Sequence, residues 1–319
     1  MKSTSIRRAI VPGIAALALT LSACGGDDDG GTDSADGASG QVAVDGSSTV
    51  YPMSNAAAEL LAEENADIDV SVGFSGTGGG FEKFCAGDTD ISNASRPIKD
   101  DEEVPVCDEN GIEFTELLVA TDALTVVVHP DLAVDCITTD QVIELFGPGS
   151  KVTNWKDLDP TFPDQEVSGF IPGTDSGTYD YMAADVVGDE SESLREDFEV
   201  SEDDNILVQG VAGTEGAVGF FGYSYYEENT DVVKALAIDD GNGCVEPSAE
   251  TAQAGEYTPL ARPLFIYVDN AKYNDNAAVA AYVDFYIENL PSIAEAAQFI
   301  PLNEDDYAAT QDTVAGIAS

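Results

Sequence analysis

Val42-Ala43-Val44-Asp45-Gly46-Ser47-Ser48-Thr49-Val50-Tyr51-Pro52 holds three structural instructions in one short run. Val42-Ala43-Val44 reads as a buried strand. Gly46 to Thr49 is a turn built from glycine and hydroxyl residues. Pro52 suits the first turn of a helix, where its missing N–H would be unpaired in any residue, and the helical pattern continues over 55–64. Strand, glycine-hydroxyl turn and helix in this order form the repeating unit of an α/β fold.

The unit recurs twice. Residues 68–74 alternate as a strand and enter Ser75-Gly76-Thr77-Gly78-Gly79-Gly80, with a short helix expected over 81–85. Residues 167–171 form another strand before Thr174-Asp175-Ser176-Gly177-Thr178, and a helix follows from about 176 to 187. A helix N-terminus offers unpaired backbone N–H groups and a partial positive charge, a natural seat for an anion. Glycine lets the backbone approach, and Ser or Thr adds a donor where a larger side chain would block it. Three such termini can converge on one small tetrahedral oxyanion. That chemistry is binding rather than catalysis.

Around these units, 90–91, 216–226, 232–238 and 264–268 read as strands, with Tyr223, Tyr225 and Tyr226 as core and rim of one of them. Residues 139–146 read as an N-capped helix, and 117–129 as a long β-branched strand suited to crossing between lobes. The chain from 276 to 318 is mostly helical, with breaks near Pro291 and Pro301. Trp155 reads as part of a packed surface loop, and His129 has no second histidine with which to build a metal site. Strands alternating with helices imply a mainly parallel sheet in each lobe. Ligands of such sheets lie where strand C-termini meet helix N-termini. Two of the loops precede the long strand and one follows it, so the ligand belongs in a cleft between lobes that closes over it.

Lys2, Arg7 and Arg8 form a basic leader, and the apolar stretch 9–21 is too short to span a bilayer. Leu21-Ser22-Ala23-Cys24 resembles the lipobox of bacterial lipoproteins, in which the Cys24 thiol takes a diacylglycerol and becomes the first residue. Residues 25–40 then read as a flexible Gly/Asp/Ser tether.

The chain carries 61 acidic and 12 basic residues, a net charge of −49. Such a surface repels nucleic acid and anionic lipid and fits a salt-adapted protein. Screening beyond about 10 Å leaves a local ring of N–H donors and one arginine free to hold an anion. Apart from Cys24, four cysteines remain in an exported chain, which implies two disulfides. Cys85–Cys107 and Cys136–Cys244 are favoured because they close loops within separate lobes. A zinc site is the rival, but no C-x-x-C clip is present.

Five motifs in register resemble one family: Gly46 to Pro52, Ser75 to Gly80, Asp90-Ile91-Ser92-Asn93-Ala94-Ser95-Arg96-Pro97, Gly173 to Thr178, and Gly216-Ala217-Val218-Gly219-Phe220-Phe221-Gly222-Tyr223. Over nearly all of 41–319 the chain is similar to the extracytoplasmic phosphate-binding proteins of high-affinity phosphate ABC importers. The resemblance implies an α/β, two-lobed periplasmic-binding-protein fold of type II, each lobe a mainly parallel sheet flanked by helices, with two hinge strands between them. It divides the chain into leader 1–24, tether 25–40, a first lobe of 41–125 plus 265–319, and a second lobe of 126–264. It implies phosphate as ligand, delivery to the transmembrane subunits of an ABC permease, no cofactor or metal, and a lipid anchor on the outer face of the cytoplasmic membrane. Ser48 and Thr77 would give hydroxyls, Thr49 a backbone N–H, and Ser176, Gly177 and Thr178 would close from the other lobe.

The family's pattern breaks at two places. Many members carry aspartate where Arg96 stands and an arginine where Pro172 stands. Of the three arginines beyond the leader, Arg195 lies in an acidic stretch expected to face solvent, and Arg262 precedes Pro263 at the return crossover with a structural role. Arg96 is then the candidate for a bidentate phosphate contact, against the alternative of a surface salt bridge. A carboxylate able to accept the phosphate proton, and so to reject sulfate, is sought in Asp175, with Asp45 behind it. Asp175 equally suits the N-cap of the following helix. Competing functions are binding of sulfate, molybdate or phosphonate, a surface hydrolase using Ser176, and a sensor that has lost transport. Ser176-Gly177-Thr178 lacks a G-x-S-x-G elbow and an oriented histidine, which argues against the hydrolase.

Overall fold

The computed structural model describes residues 37–174, 176–188 and 193–317. The leader, Cys24, the tether up to residue 36 and Asp175 lie outside them. Strands β1 (Gly40–Gly46), β2 (Ile68–Val72), β3 (Ile91–Ala94) and β4 (Phe114–Val128) occupy the first part of the chain. Then come β5 (Cys136–Thr138), β6 (Ser168–Pro172), β7 (Glu199–Ser201), β8 (Ala217–Gly222) and the short β9 (Lys234–Ala235), β10 (Ala237–Asp239) and β11 (Cys244–Val245), before β12 (Ala261–Asp269). The main sheet runs β2-β1-β3-β12-β4-β8-β6-β7, with β9 added to β4, and β11-β10-β5 form a smaller sheet. β1, β2 and β3 are parallel, as are β6, β7 and β8. Between these parallel groups lie β4 and β12, antiparallel to each other and to their outer neighbours β8 and β3.

β4 carries side chains into two cores. Leu117, Val119 and Ala120 pack with Val42, Val44, Met53 and Tyr282, whereas Leu124, Val126 and Val128 pack with Phe146, Trp155 and Phe220. Each buried side chain of this size contributes about 1.5–3 kcal/mol of transfer free energy. Helix α1 (Tyr51–Glu64) carries Pro52 in its first turn, as predicted, and buries Met53, Ala57 and Leu61 on one face. Tyr282 donates its hydroxyl to the Ser54 carbonyl at 2.8 Å, fastening α1 to the helix Ala277–Glu288.

Helix α2 (Gly76–Cys85) begins five residues before the expected start, so the second glycine run is helical rather than loop. A Cβ at Gly80 would lie 2.5 Å from the Gly46 Cα. Gly80, read from sequence as room for a ligand, therefore lets α2 press onto β1, while a Cβ at Gly46 would clash with the Asn93 carbonyl oxygen, so Gly46 lets β1 lie close against β3. Gly76, at φ +79° and with open space around it, keeps the permissive role.

Cys85 is bonded to Cys107, tying α2 to α3 (Val104–Asn110), and Cys136 to Cys244, tying β5 to β11. Helix α4 (Thr139–Phe146) has the expected cap, a Thr138–Gln141 capping box. The strand expected over 216–226 stops at Gly222, and Tyr223–Glu228 is a helix carrying all three tyrosines. Residues 232–238 split between β9 and β10, which join different sheets. The break expected near Pro291 falls at Asn289, between the helices Ala277–Glu288 and Leu290–Ala296, and Pro291 sits in the first turn of the second, where no N–H is needed. Trp155 is fully buried at the start of α5 (Trp155–Leu158), its indole N–H donated to the Gly216 carbonyl at 2.9 Å.

Arg195 departs most from its sequence reading. Its side chain is 4% exposed, its Nη1 donates to the carbonyls of Leu145 and Val152, and its Nε and Nη2 hold Asp197. It is a buried staple between segments far apart in sequence.

Candidate functional site

A cleft of about 400 Å³ opens where the two parallel groups face each other, lined by Ser47, Ser48, Thr49, Gly76, Thr77 and Ser95 from one side and by Asp180, Tyr181, Ala184 and Asp185 from the other. Arg96 and Arg262 complete its wall. A second cavity shares Ser48, Thr49 and Asp180 and adds Gly177 and Thr178. Neither α1 nor α2 has a side chain capping its N-terminus. In α1 the backbone takes the first-turn N–H groups, Tyr51 donating to the Ser47 carbonyl and Met53 and Ser54 to that of Val50, whereas α2 begins beside the cleft with its first turn uncapped by any side chain.

The hydroxyls are held in place. Thr77 Oγ1 accepts from the Ser95 backbone N–H at 3.2 Å and lies 3.1 Å from Ser95 Oγ. Ser47 donates its N–H to the Asn93 carbonyl at 2.9 Å, which fixes the first loop on β3. Ser75 donates its hydroxyl to Asp45 instead of capping α2. Asp45 also takes Lys83 Nζ at 2.6 Å and the Gly46 N–H at 2.7 Å. Burial raises the Asp45 carboxyl, but Lys83, Ser75 and the Gly46 N–H outweigh it and hold the group below its ordinary range. With those partners Asp45 is a strut of the loop, not a spare acceptor.

Arg96 is half-exposed and already paired. Nη1 and Nη2 donate to the two oxygens of Glu103 at 2.9 and 2.7 Å, and Nη1 also donates to the Pro97 carbonyl. The expected position beside the cleft and the alternative salt bridge are both present. Burial raises the Glu103 carboxyl, yet the Arg96 bonds and the Lys99 N–H bring it below its usual range.

Arg262, read from sequence as structural, reaches into the cleft. Nη2 donates to Thr49 Oγ1 at 3.0 Å, Nη1 to Asp185 at 2.6 Å and Nε to Asp122 at 3.2 Å. Its guanidinium carbon lies 3.6 Å from the centroid of the Tyr181 ring. Arg262 and Asp122 are directly opposite in the β12–β4 register, so the pair is a cross-strand one. Burial pushes the Asp122 carboxyl above its ordinary value despite Arg262, and Asp185 adds to that rise. One sequence signal existed: Asp122 is the single charged residue within the apolar run 117–128, and a charge in a buried strand demands a partner.

On the third loop, Ser176 Oγ accepts the Thr178 N–H at 3.2 Å and so caps α6 (Gly177–Asp180). The continuation Tyr181–Val187 is a π-helix, not the α-helix expected there. Asp175 lies outside the described residues. His129 Nδ1 accepts the Asp131 N–H at 3.2 Å. No group of three or more His, Cys, Asp or Glu that could hold a metal ion occurs among the described residues.

A profile of the PBP superfamily domain matches residues 31–289. The chain belongs to this superfamily as a PstS-like member. Its fold is the type II periplasmic-binding-protein one, and the superfamily comprises substrate-binding proteins, not enzymes. Protein SphX of Synechococcus elongatus is 48% identical over 274 residues, covering 85% of this chain and 80% of that protein. The phosphate-binding protein PstS of Staphylococcus saprophyticus is 41% identical, covering 92% of this chain and 89% of the relative. A crystal structure of a possible phosphate-binding protein from Planctomyces limnophilus superposes with a TM-score of 0.84 at 39% identity, over 89% of this chain and all of that one.

Proposed function

We propose that this protein binds inorganic phosphate in the cleft and delivers it to the transmembrane subunits of an ABC permease. It works at the outer face of the bacterial cytoplasmic membrane, anchored by a lipid on Cys24. The observation that carries the reading is the gathering of Ser48, Thr49, Thr77, Arg96 and Arg262 around one cavity beside the uncapped N-terminus of α2. Ser48 and Thr77 donate hydroxyls, Thr49 its N–H, and Ser176, Gly177 and Thr178 close from the far side. Arg262 supplies the principal cation and Arg96 a second one shared with Glu103. Asp175 accepts the proton that phosphate carries and sulfate lacks.

Calorimetric titration with phosphate and then sulfate at high salt tests the reading. Phosphate binding at micromolar or tighter affinity, without sulfate binding, is expected. Equal binding of the two anions, or binding of neither, overturns it.

A further inference from the structure

Arg262 meets an arriving anion with its charge already engaged. One guanidinium and the two carboxylates of Asp122 and Asp185 together carry net negative charge. The two carboxylates are not equivalent. Asp122 lies opposite Arg262 on β4 with its side chain 13% exposed, so leaving the pair would strand a buried carboxylate. Asp185 stands on the π-helical stretch across the cleft, its side chain 56% exposed, and makes the shortest of the three Arg262 bonds. A carboxylate largely in water can exchange its partner at small desolvation cost. The Tyr181 ring lies against the guanidinium and can keep its plane fixed while its edge partners change.

We propose that Asp185 is a built-in competitor for the cleft anion: its carboxylate holds Arg262 when the cleft is empty, and ligand entry exchanges one anion for another on the same guanidinium. This inference rests on the phosphate-binding reading above. The exchange selects by charge. A phosphate dianion brings more charge than Asp185 and several oxygens for bidentate contact. A monovalent oxyanion such as nitrate brings no more charge than the carboxylate it must displace. Asp185 is thus a specificity-determining residue that raises the threshold for every anion and excludes the weakest.

The test is phosphate titration of the wild type, Asp185→Asn and Asp185→Ala, each with and without excess nitrate. Both variants are expected to bind phosphate about two- to tenfold more tightly. Nitrate, without effect on the wild type, is expected to compete in the variants. In an Arg262→Gln background the gain from Asp185→Asn should vanish, because there is no cation left to release. Unchanged or weaker phosphate binding in both single variants overturns the inference, as does a gain that persists without Arg262. Failure of the wild type to bind phosphate overturns the functional reading itself, and this inference with it.

Discussion

Arg96 and Arg262 line the same cavity, but the carboxylates that hold them respond to their surroundings in opposite directions. Glu103 is drawn below its usual range because two Arg96 bonds and a backbone N–H outweigh burial. Asp122 is driven above its own because burial outweighs Arg262. The Arg96 pair is a half-exposed surface bridge closed within a few residues of sequence, with Glu103 seven positions on. The Arg262 pair is nearly buried and joins strands 140 residues apart. A local, solvated pair holds a loop, whereas a non-local, dehydrated one places a cation whose strength is not diluted by water.

Arg262→Gln is expected to have the largest effect. It removes the charge-assisted donor, worth about 1.5–3 kcal/mol of phosphate binding, and leaves Asp122 buried beside Asp185, at a further cost of about 3 kcal/mol in folding stability. Calorimetry and denaturant unfolding of the same sample separate the two. Gly80→Ala comes next, on the Arg96 side. Its new Cβ would force α2 away from Gly46, with a stability loss of about 1–3 kcal/mol and weaker binding as Thr77 moves. Thermal unfolding unchanged from wild type would show that α2 does not rely on this approach. Arg96→Gln should cost less than Arg262→Gln, about tenfold in affinity or below, because the Arg96 side chain is 35% exposed to water against 11% for Arg262.

The smallest effects lie in pH dependence, where the two pairs should part company. Glu103, lowered in the folded state, contributes stability that is full above its unfolded value of about 4.3 and is lost as pH falls through the folded value. Glu103→Gln should flatten that acid-side loss. Asp122, raised in the folded state, contributes stability that declines as pH climbs from about 3.9 through its raised value. Asp122→Asn should therefore gain on the wild type over that rise, a difference readable from denaturant midpoints at a series of pH values. Parallel profiles for both variants would erase the contrast.

What the sequence disclosed follows the reach of each interaction. The strand at 117–129 was visible because a β-branched run states its own conformation, and the observed strand is Phe114–Val128. The first loop was visible because strand, glycine-hydroxyl turn and Pro52 are consecutive. Arg262 was not, since its place depends on the β12–β4 register, which no local pattern encodes. Arg195 misled for a related reason: its acidic neighbours pointed to solvent, while the carbonyls that bury it lie 43 and 50 residues upstream. Tyr223, Tyr225 and Tyr226 favoured a strand by propensity, but that strand ends at Gly222 and the chain turns into a helix. The glycines were found correctly as special, yet Gly80 serves helix-on-strand packing and Gly46 the close approach of β1 to β3 before they serve any ligand.

The most direct test is a side-by-side phosphate titration of Arg262→Gln and Arg96→Gln at one salt concentration. A loss about tenfold larger for Arg262→Gln is expected if the dehydrated cross-strand arginine is the cleft's principal cation. An equal or larger loss for Arg96→Gln would contradict that assignment and return the role to the arginine beside Pro97.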